Sequence, residues 1–197
     1  MGRRIVRVVP LCLLAAVFAT LSLAQVDTTC VIAAWNLKGF NPIDDAKVVR
    51  LARALTDVDA EIIALAEVNP DGVVDKLILE LGRLGACYQG KILDQTARQN
   101  LAILYKTGVA VTEAQLVQGS DDGNPGLRKA LTADVRVGQF DFKIVVLHLK
   151  AGRSGSDRNT RTRQATVLAG FVAAATAGNE KDVLVVGDYN MRPDQDG

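Results

Sequence analysis

The chain has 197 residues, 49% hydrophobic and 23% charged, with 17 Gly and 5 Pro, the composition of one globular domain and not of a disordered, collagen-like or coiled-coil protein. One histidine excludes a site needing two, and three cysteines disfavour a classical zinc site and rule out a disulfide scaffold. Residues 1–24 hold Arg3, Arg4 and Arg7 and no acid, so residues 25–197 carry 20 basic and 22 acidic groups, and a net of −2 leaves nucleic-acid affinity to a local patch.

The first segment reads as an address. Basic residues up to Arg7 precede an apolar stretch from Val8 to Leu23, and Ser22-Leu23-Ala24 offers small residues at −3 and −1 of a cut before Gln25. That order predicts a secretory signal peptide over 1–24, followed by one domain over 25–197. A retained membrane anchor is disfavoured by Pro10, by the immediate cleavage site and by the lack of basic residues after it. The protein is therefore expected to be exported, periplasmic or extracellular, with no stable membrane span after cleavage. Export leaves Cys30 and Cys87, which read either as a disulfide closing a long loop or as two thiols at strand starts.

Cys30 to Trp35 is an apolar strand, followed by a helix over 43–57 whose Val48, Leu51, Ala52 and Leu55 share a face, with Asp44 and Asp45 in its first turn. Glu61 to Val68 is a second apolar strand, and Asn69-Pro70-Asp71 reads as the cap and first-turn proline of a helix running to about Gly85. This alternation predicts a parallel strand pair buried on both faces. Short strands follow at 87–92, 101–106, 109–117, 129–136 and 139–149, with 119–127 as a surface loop. An amphipathic helix over 160–177 and a buried strand over 182–187 complete a mixed α/β domain rich in hairpins.

Polar residues end the buried strands: Asn36, Glu67, His148, then Asp188 with Asn190. Strand ends are where α/β sheets place their sites. Four of these five present oxygen, the donor a hard cation such as Mg²⁺ prefers.

The same residues carry a resemblance. Trp35-Asn36, Ile62 to Val68 with Glu67, Arg98-Gln99-Asn100 leading into Leu101 to Tyr105, Val146-Leu147-His148-Leu149-Lys150, Arg163-Gln164 and Gly187-Asp188-Tyr189-Asn190 occur in the order and spacing of the endonuclease/exonuclease/phosphatase superfamily. Over residues 30–193 the chain resembles these metal-dependent phosphoesterases, which are related to DNase I and exonuclease III. The resemblance implies an α/β (α+β) fold of two packed mixed β-sheets flanked by helices, and hydrolysis of a phosphoester by water. It implies Asn36 and Glu67 as ligands of Mg²⁺ or Mn²⁺, Asp188 orienting the attacking water, Asn190 holding phosphoryl oxygens, and His148 contacting the phosphate or leaving group.

Three departures stand out. Ala66 replaces a glutamine often found before the metal-binding Glu, which removes a supporting hydrogen bond; the Tyr or acid often placed before the Leu101 strand has no match, Gln99 falling nearby; and the final Asp-His element is missing. The sequence thus corresponds to about two thirds of such a domain. The expectations that follow are a sandwich incomplete at its C-terminus, a gene continuing past Gly197, and poor solubility and activity for residues 25–197 alone.

Lys150, Arg153, Arg158, Arg161 and Arg163 face only Asp157 in sequence, and read either as a solvated loop or as a phosphate-facing wall, with Arg98, Arg153 and Arg163 as substrate contacts. A serine hydrolase is disfavoured, because no Gly-x-Ser-x-Gly elbow occurs. The reading carried forward is a secreted nuclease-like phosphodiesterase acting on DNA, RNA or another phosphoester. Its rivals are a phosphatase or phosphodiesterase on lipid or sugar phosphates and an inactive phosphate-binding fragment.

Overall fold

A computed structural model describes residues 29–38, 45–68, 72–97, 99–178 and 181–191. The signal-peptide segment and the Asn69-Pro70-Asp71 turn lie outside those residues. Among the described residues no helix is long and apolar enough to cross a membrane.

The first sheet holds β1 (Ile32–Asn36), β2 (Ile62–Val68), β3 (Tyr88–Ile92) and β4 (Asn100–Lys106) in the order β1-β2-β4-β3. The second holds β5 (Ala110–Leu116), β6 (Leu131–Val137), β7 (Phe140–His148) and β8 (Val183–Asp188) in sequence order. β1 and β2 are parallel, as are β7 and β8, while the remaining pairs are antiparallel. Helices α1 (Asp45–Val58) and α2 (Val73–Arg83) cover the first sheet, and α3 (Gly155–Ala177) lies against the second. This is the DNase I-like sandwich that the motif order implies.

Strand alternation builds the layers. From β2, Ile63 and Leu65 face the helices with Leu51, Leu55, Leu77 and Leu81, while Ile62, Ala64 and Ala66 face the other sheet. β4 divides likewise, Leu104 outward and Leu101, Ile103 and Tyr105 inward. β7 sends Phe142, Ile144 and Val146 between the sheets, and Val145 and Leu147 to the α3 side with Leu168. β2, β4 and β7 are therefore apolar on both faces, which is why they read as continuous runs.

Several boundaries differ from the sequence reading. β2 is buried on both faces, but β1 is half exposed because it forms the edge of its sheet. Helix α2 starts at Val73 with Gly72 as its N-cap in a left-handed conformation (φ 77°), so Pro70 is not its first residue. Helix α3 begins five residues earlier than expected, at Gly155, because Ser154 and Asp157 form a reciprocal capping box. Its buried stripe is Arg161, Gln164 and Leu168, more polar than an amphipathic helix requires. The 119–127 loop is not wholly on the surface: Ser120 and Asp121 are buried, and the Ser120 carbonyl accepts from Gln164 Nε2 at 2.8 Å. Cys30 and Cys87 are separate thiols.

At Gly187 the backbone takes φ +128°, and its Cα pairs with that of Leu147. A Cβ there would overlap the Leu147 carbonyl oxygen and lie 3.0 Å from the Leu147 carbonyl carbon and amide nitrogen. Only glycine lets β8 run this close to β7, and the next residue is Asp188.

Candidate active site

The ends of β1, β2, β7 and β8 meet at one rim of the sandwich. Asn36 ends β1, and its Nδ2 donates to Glu67 Oε1 at 3.0 Å and to Asp188 Oδ2 at 2.7 Å. The opposite end of the amide is fixed, because Asn36 Oδ1 accepts from the Lys38 N–H at 2.8 Å. One amide thus bridges carboxylates from both sheets.

Glu67 reaches this position through a β-bulge. The β2–β4 register shifts between Leu65 and Val68, and Glu67 adopts φ 59°. A left-handed conformation costs a non-glycine residue roughly 1–2 kcal/mol and persists where surrounding contacts enforce it. Here Oε1 takes the Asn36 bond and Oε2 accepts from Gln99 Nε2 at 3.1 Å.

Asp188 is held at both oxygens, Oδ2 by Asn36 and Oδ1 by the Asn190 N–H at 2.8 Å. Burial pushes its pKa up, but the Asn36 and Asn190 bonds, with His148 and Arg128 nearby, outweigh that and hold it below the usual carboxylate value. Asn190 sits at φ 51° and donates from Nδ2 to the Leu149 carbonyl at 2.9 Å, and that nitrogen carries a second N–H.

His148 lies beneath the carboxylates. Its Nε2 is 3.7 Å from Glu67 Oε1 and 4.0 Å from Asp188 Oδ2, and its side chain is 2% exposed. Burial, reinforced by the Arg128 charge, lowers its pKa to about 4 against the opposing pull of Asp188 and Glu67. The ring is therefore neutral at pH 7. Among the described residues Nδ1 has no hydrogen-bond partner, while Nε2 faces the carboxylates. In this structure His148 touches Glu67 and Asp188 and presents almost no surface to a substrate.

Arg128 brings positive charge to the site. Its Nε donates to the His148 carbonyl at 3.2 Å and its Nη1 to Gln99 Oε1 at 3.0 Å. Burial lowers its pKa, while Glu67 and Asp188 oppose that shift. Neither Gln99 nor Arg128 was among the expected site residues. Gln99 had a signal, its place just before β4 where an active-site Tyr or acid is common; Arg128, inside a polar loop, had none.

The basic segment after His148 is largely spent on structure. Lys150 pairs with Asp157 at 2.8 Å, Arg161 is buried and donates to the Lys150 and Gly152 carbonyls, and Arg163 forms a two-point pair with Asp122 at 2.8 and 2.7 Å. Asp157 was thus not the only acid in reach. Arg153 and Arg158 are exposed, and Arg158 Nη1 donates to the Arg153 carbonyl at 2.9 Å. Arg98 lies outside the described residues. Asn36, Glu67, His148, Asp188 and Asn190 are brought together; Arg163 is engaged elsewhere.

The sequence signature of the Endonuclease/Exonuclease/phosphatase family matches residues 33–197. The chain belongs to that family. No curated protein matches it. Among solved structures, TDP2 of Caenorhabditis elegans superposes with a TM-score of 0.68 at 18% identity, over 84% of this chain and 49% of that one. D. rerio TDP2 complexed with single-strand DNA product gives 0.64 at 20% identity, over 86% and 64%. A mannosyl-6-phosphatase of Bacteroides thetaiotaomicron gives 0.62 at 15% identity, over 82% and 66%. The chain thus spans from about half to two thirds of the length of these family-fold relatives.

Proposed function

We propose that this family member is an exported, divalent-metal-dependent phosphoester hydrolase, most simply a nuclease-like phosphodiesterase. The observation that carries the reading is the convergence of Glu67 and Asp188 on one Asn36 amide, at the strand-end rim of a family fold. The donor set suits Mg²⁺ or Mn²⁺. Two carboxylates supply hard oxygen donors, and among the described residues the Arg128 guanidinium faces their negative charges. Glu67 would hold the cation, joined by Asn36 only with its amide turned so that Oδ1 leaves the Lys38 N–H, and the cation when bound would neutralise charge on the phosphoryl oxygens.

The remaining steps belong to the chain's own groups. Asp188, ionised and held from two sides, orients the attacking water as a hydrogen-bond acceptor. The free N–H of the Asn190 amide donates to a phosphoryl oxygen and holds the phosphate in line. His148 remains neutral behind both carboxylates, with Nε2 3.7 Å from Glu67 Oε1 and 4.0 Å from Asp188 Oδ2. Arg153 and Arg158, exposed at and just before the start of α3, offer the local positive patch that a net charge of −2 otherwise denies a polyanion.

Two measurements test this. Titration with Mn²⁺ should show binding by the wild type and a loss of about tenfold or more in Glu67→Gln; equal affinities would remove Glu67 from the site. Hydrolysis of DNA and of a model phosphodiester, with and without EDTA, separates a nuclease from a small-phosphoester enzyme. The second reading, a phosphatase on sugar or lipid phosphates, draws on the fold shared with a mannosyl-6-phosphatase. Activity on phosphomonoesters alone would favour it.

A further inference from the structure

Glu67 occupies a strained backbone position, and the residue before it, Ala66, is buried and offers its carboxylate nothing. Asn36 secures only one oxygen. The other is secured from a different strand, by Gln99 Nε2 at 3.1 Å, just before β4. The orientation of a glutamine amide is ordinarily ambiguous, but here the partners decide it. A guanidinium only donates and a carboxylate only accepts. Arg128 Nη1 on Gln99 Oε1 therefore forces Nε2 toward Glu67 Oε2. Arg128 is in turn fixed by its Nε bond to the His148 carbonyl on β7. The result is a chain of bonds running from the second sheet, through Arg128 and Gln99, to Glu67 in the first.

We propose that Gln99 is a positioning residue, held in register by Arg128, that sets the Glu67 carboxylate for cation binding. This rests on the proposed role of Glu67 as a cation ligand. Lysine cannot substitute for Arg128, because one ammonium cannot reproduce a fork whose two nitrogens bond groups from different segments. Methionine at 99 keeps the length and flexibility of glutamine and removes both polar ends.

The test is Mn²⁺ titration of wild type, Glu67→Gln, Gln99→Met, Arg128→Lys and the Gln99→Met/Arg128→Lys double variant, with thermal unfolding recorded for each. Removing a group that orients a metal ligand typically costs about 10–100-fold in affinity. We expect a weakening of about tenfold in Gln99→Met and in Arg128→Lys, at near wild-type melting temperature. In the Gln99→Met background, Arg128→Lys should add little, because the two act through one route; a merely space-filling role would give independent effects. Should Gln99→Met fail to fold, Gln99→Asn, polar but one methylene too short to span both partners, should show the same loss. If Glu67→Gln weakens Mn²⁺ binding while Gln99→Met and Gln99→Asn do not, the positioning role is wrong and the cation site stands. If wild type binds no Mn²⁺, or Glu67→Gln binds as well as wild type, the underlying site assignment fails, and this inference with it.

Discussion

Gly187→Ala is the smallest change that should disable this fold and its site together. The native φ of +128° lies in a region that side-chain-bearing residues essentially never occupy, a strain of about 1–3 kcal/mol for alanine. The added Cβ also overlaps the backbone oxygen of Leu147, which cannot rotate away as a side chain could. β8 must therefore part from β7. That motion stretches the ladder beside it, including the Leu149 N–H bond to the Asp188 carbonyl at 2.9 Å. With net hydrogen bonds worth about 1 kcal/mol each, two lost bonds and the strain together come to about 3–5 kcal/mol. Against a typical total of about 5–15 kcal/mol this is severe, and for a domain of this size it lowers the melting temperature by about 10 °C. Urea unfolding followed by far-UV circular dichroism measures it, through the midpoint and an unchanged slope. A Gly187→Ala protein within about 0.5 kcal/mol of wild type would show that β7 and β8 do not need this close approach.

Further outcomes follow from the same geometry. His148 is buried neutral with its pKa at about 4, against 6.5 unfolded, so the unfolded chain binds the proton first; stability should be complete above pH 6.5 and fall toward pH 4, by up to about 3 kcal/mol. Thermal melts across that range should show the slope in wild type and not in His148→Gln, and equal slopes would assign the titration elsewhere. If DNA is the substrate, Arg153→Ala/Arg158→Ala should reduce the salt slope of binding by about two, whereas Arg163→Ala, which breaks an ion pair with Asp122, should change it less; an unchanged slope in the double variant would make the loop a solvated one. Ser154→Ala removes the capping box of α3 and should lower stability by about 1 kcal/mol in chemical unfolding. No loss would mean that packing of Arg161, Gln164 and Leu168 alone holds that helix end.

What could be read from the sequence was whatever is local. β2 and β7 announce themselves as apolar runs because both faces are covered, and Asn36, Glu67 and Asp188 are conspicuous as polar residues closing such runs. The β1 edge position was not legible, since an edge strand covered on one face has the same few apolar residues as a central one. The start of α3 carried a usable sign, Ser154 three residues before Asp157, which the glycines around it obscured. Arg163 with Asp122, and Arg128 with Gln99, lie 41 and 29 residues apart. No periodicity encodes such pairs. They exist because the loop before β6 folds back against both the start of α3 and the approach to β4.

The hydrogen bond between Asn36 and Asp188 joins residues 152 positions apart. Loop-closure entropy places such a contact late in folding, after both sheets have formed and packed. A partly synthesised chain contains Asn36 and Glu67 but cannot hold them against Asp188. The geometry that joins Asn36, Glu67 and Asp188 therefore arrives only when β8 has paired with β7.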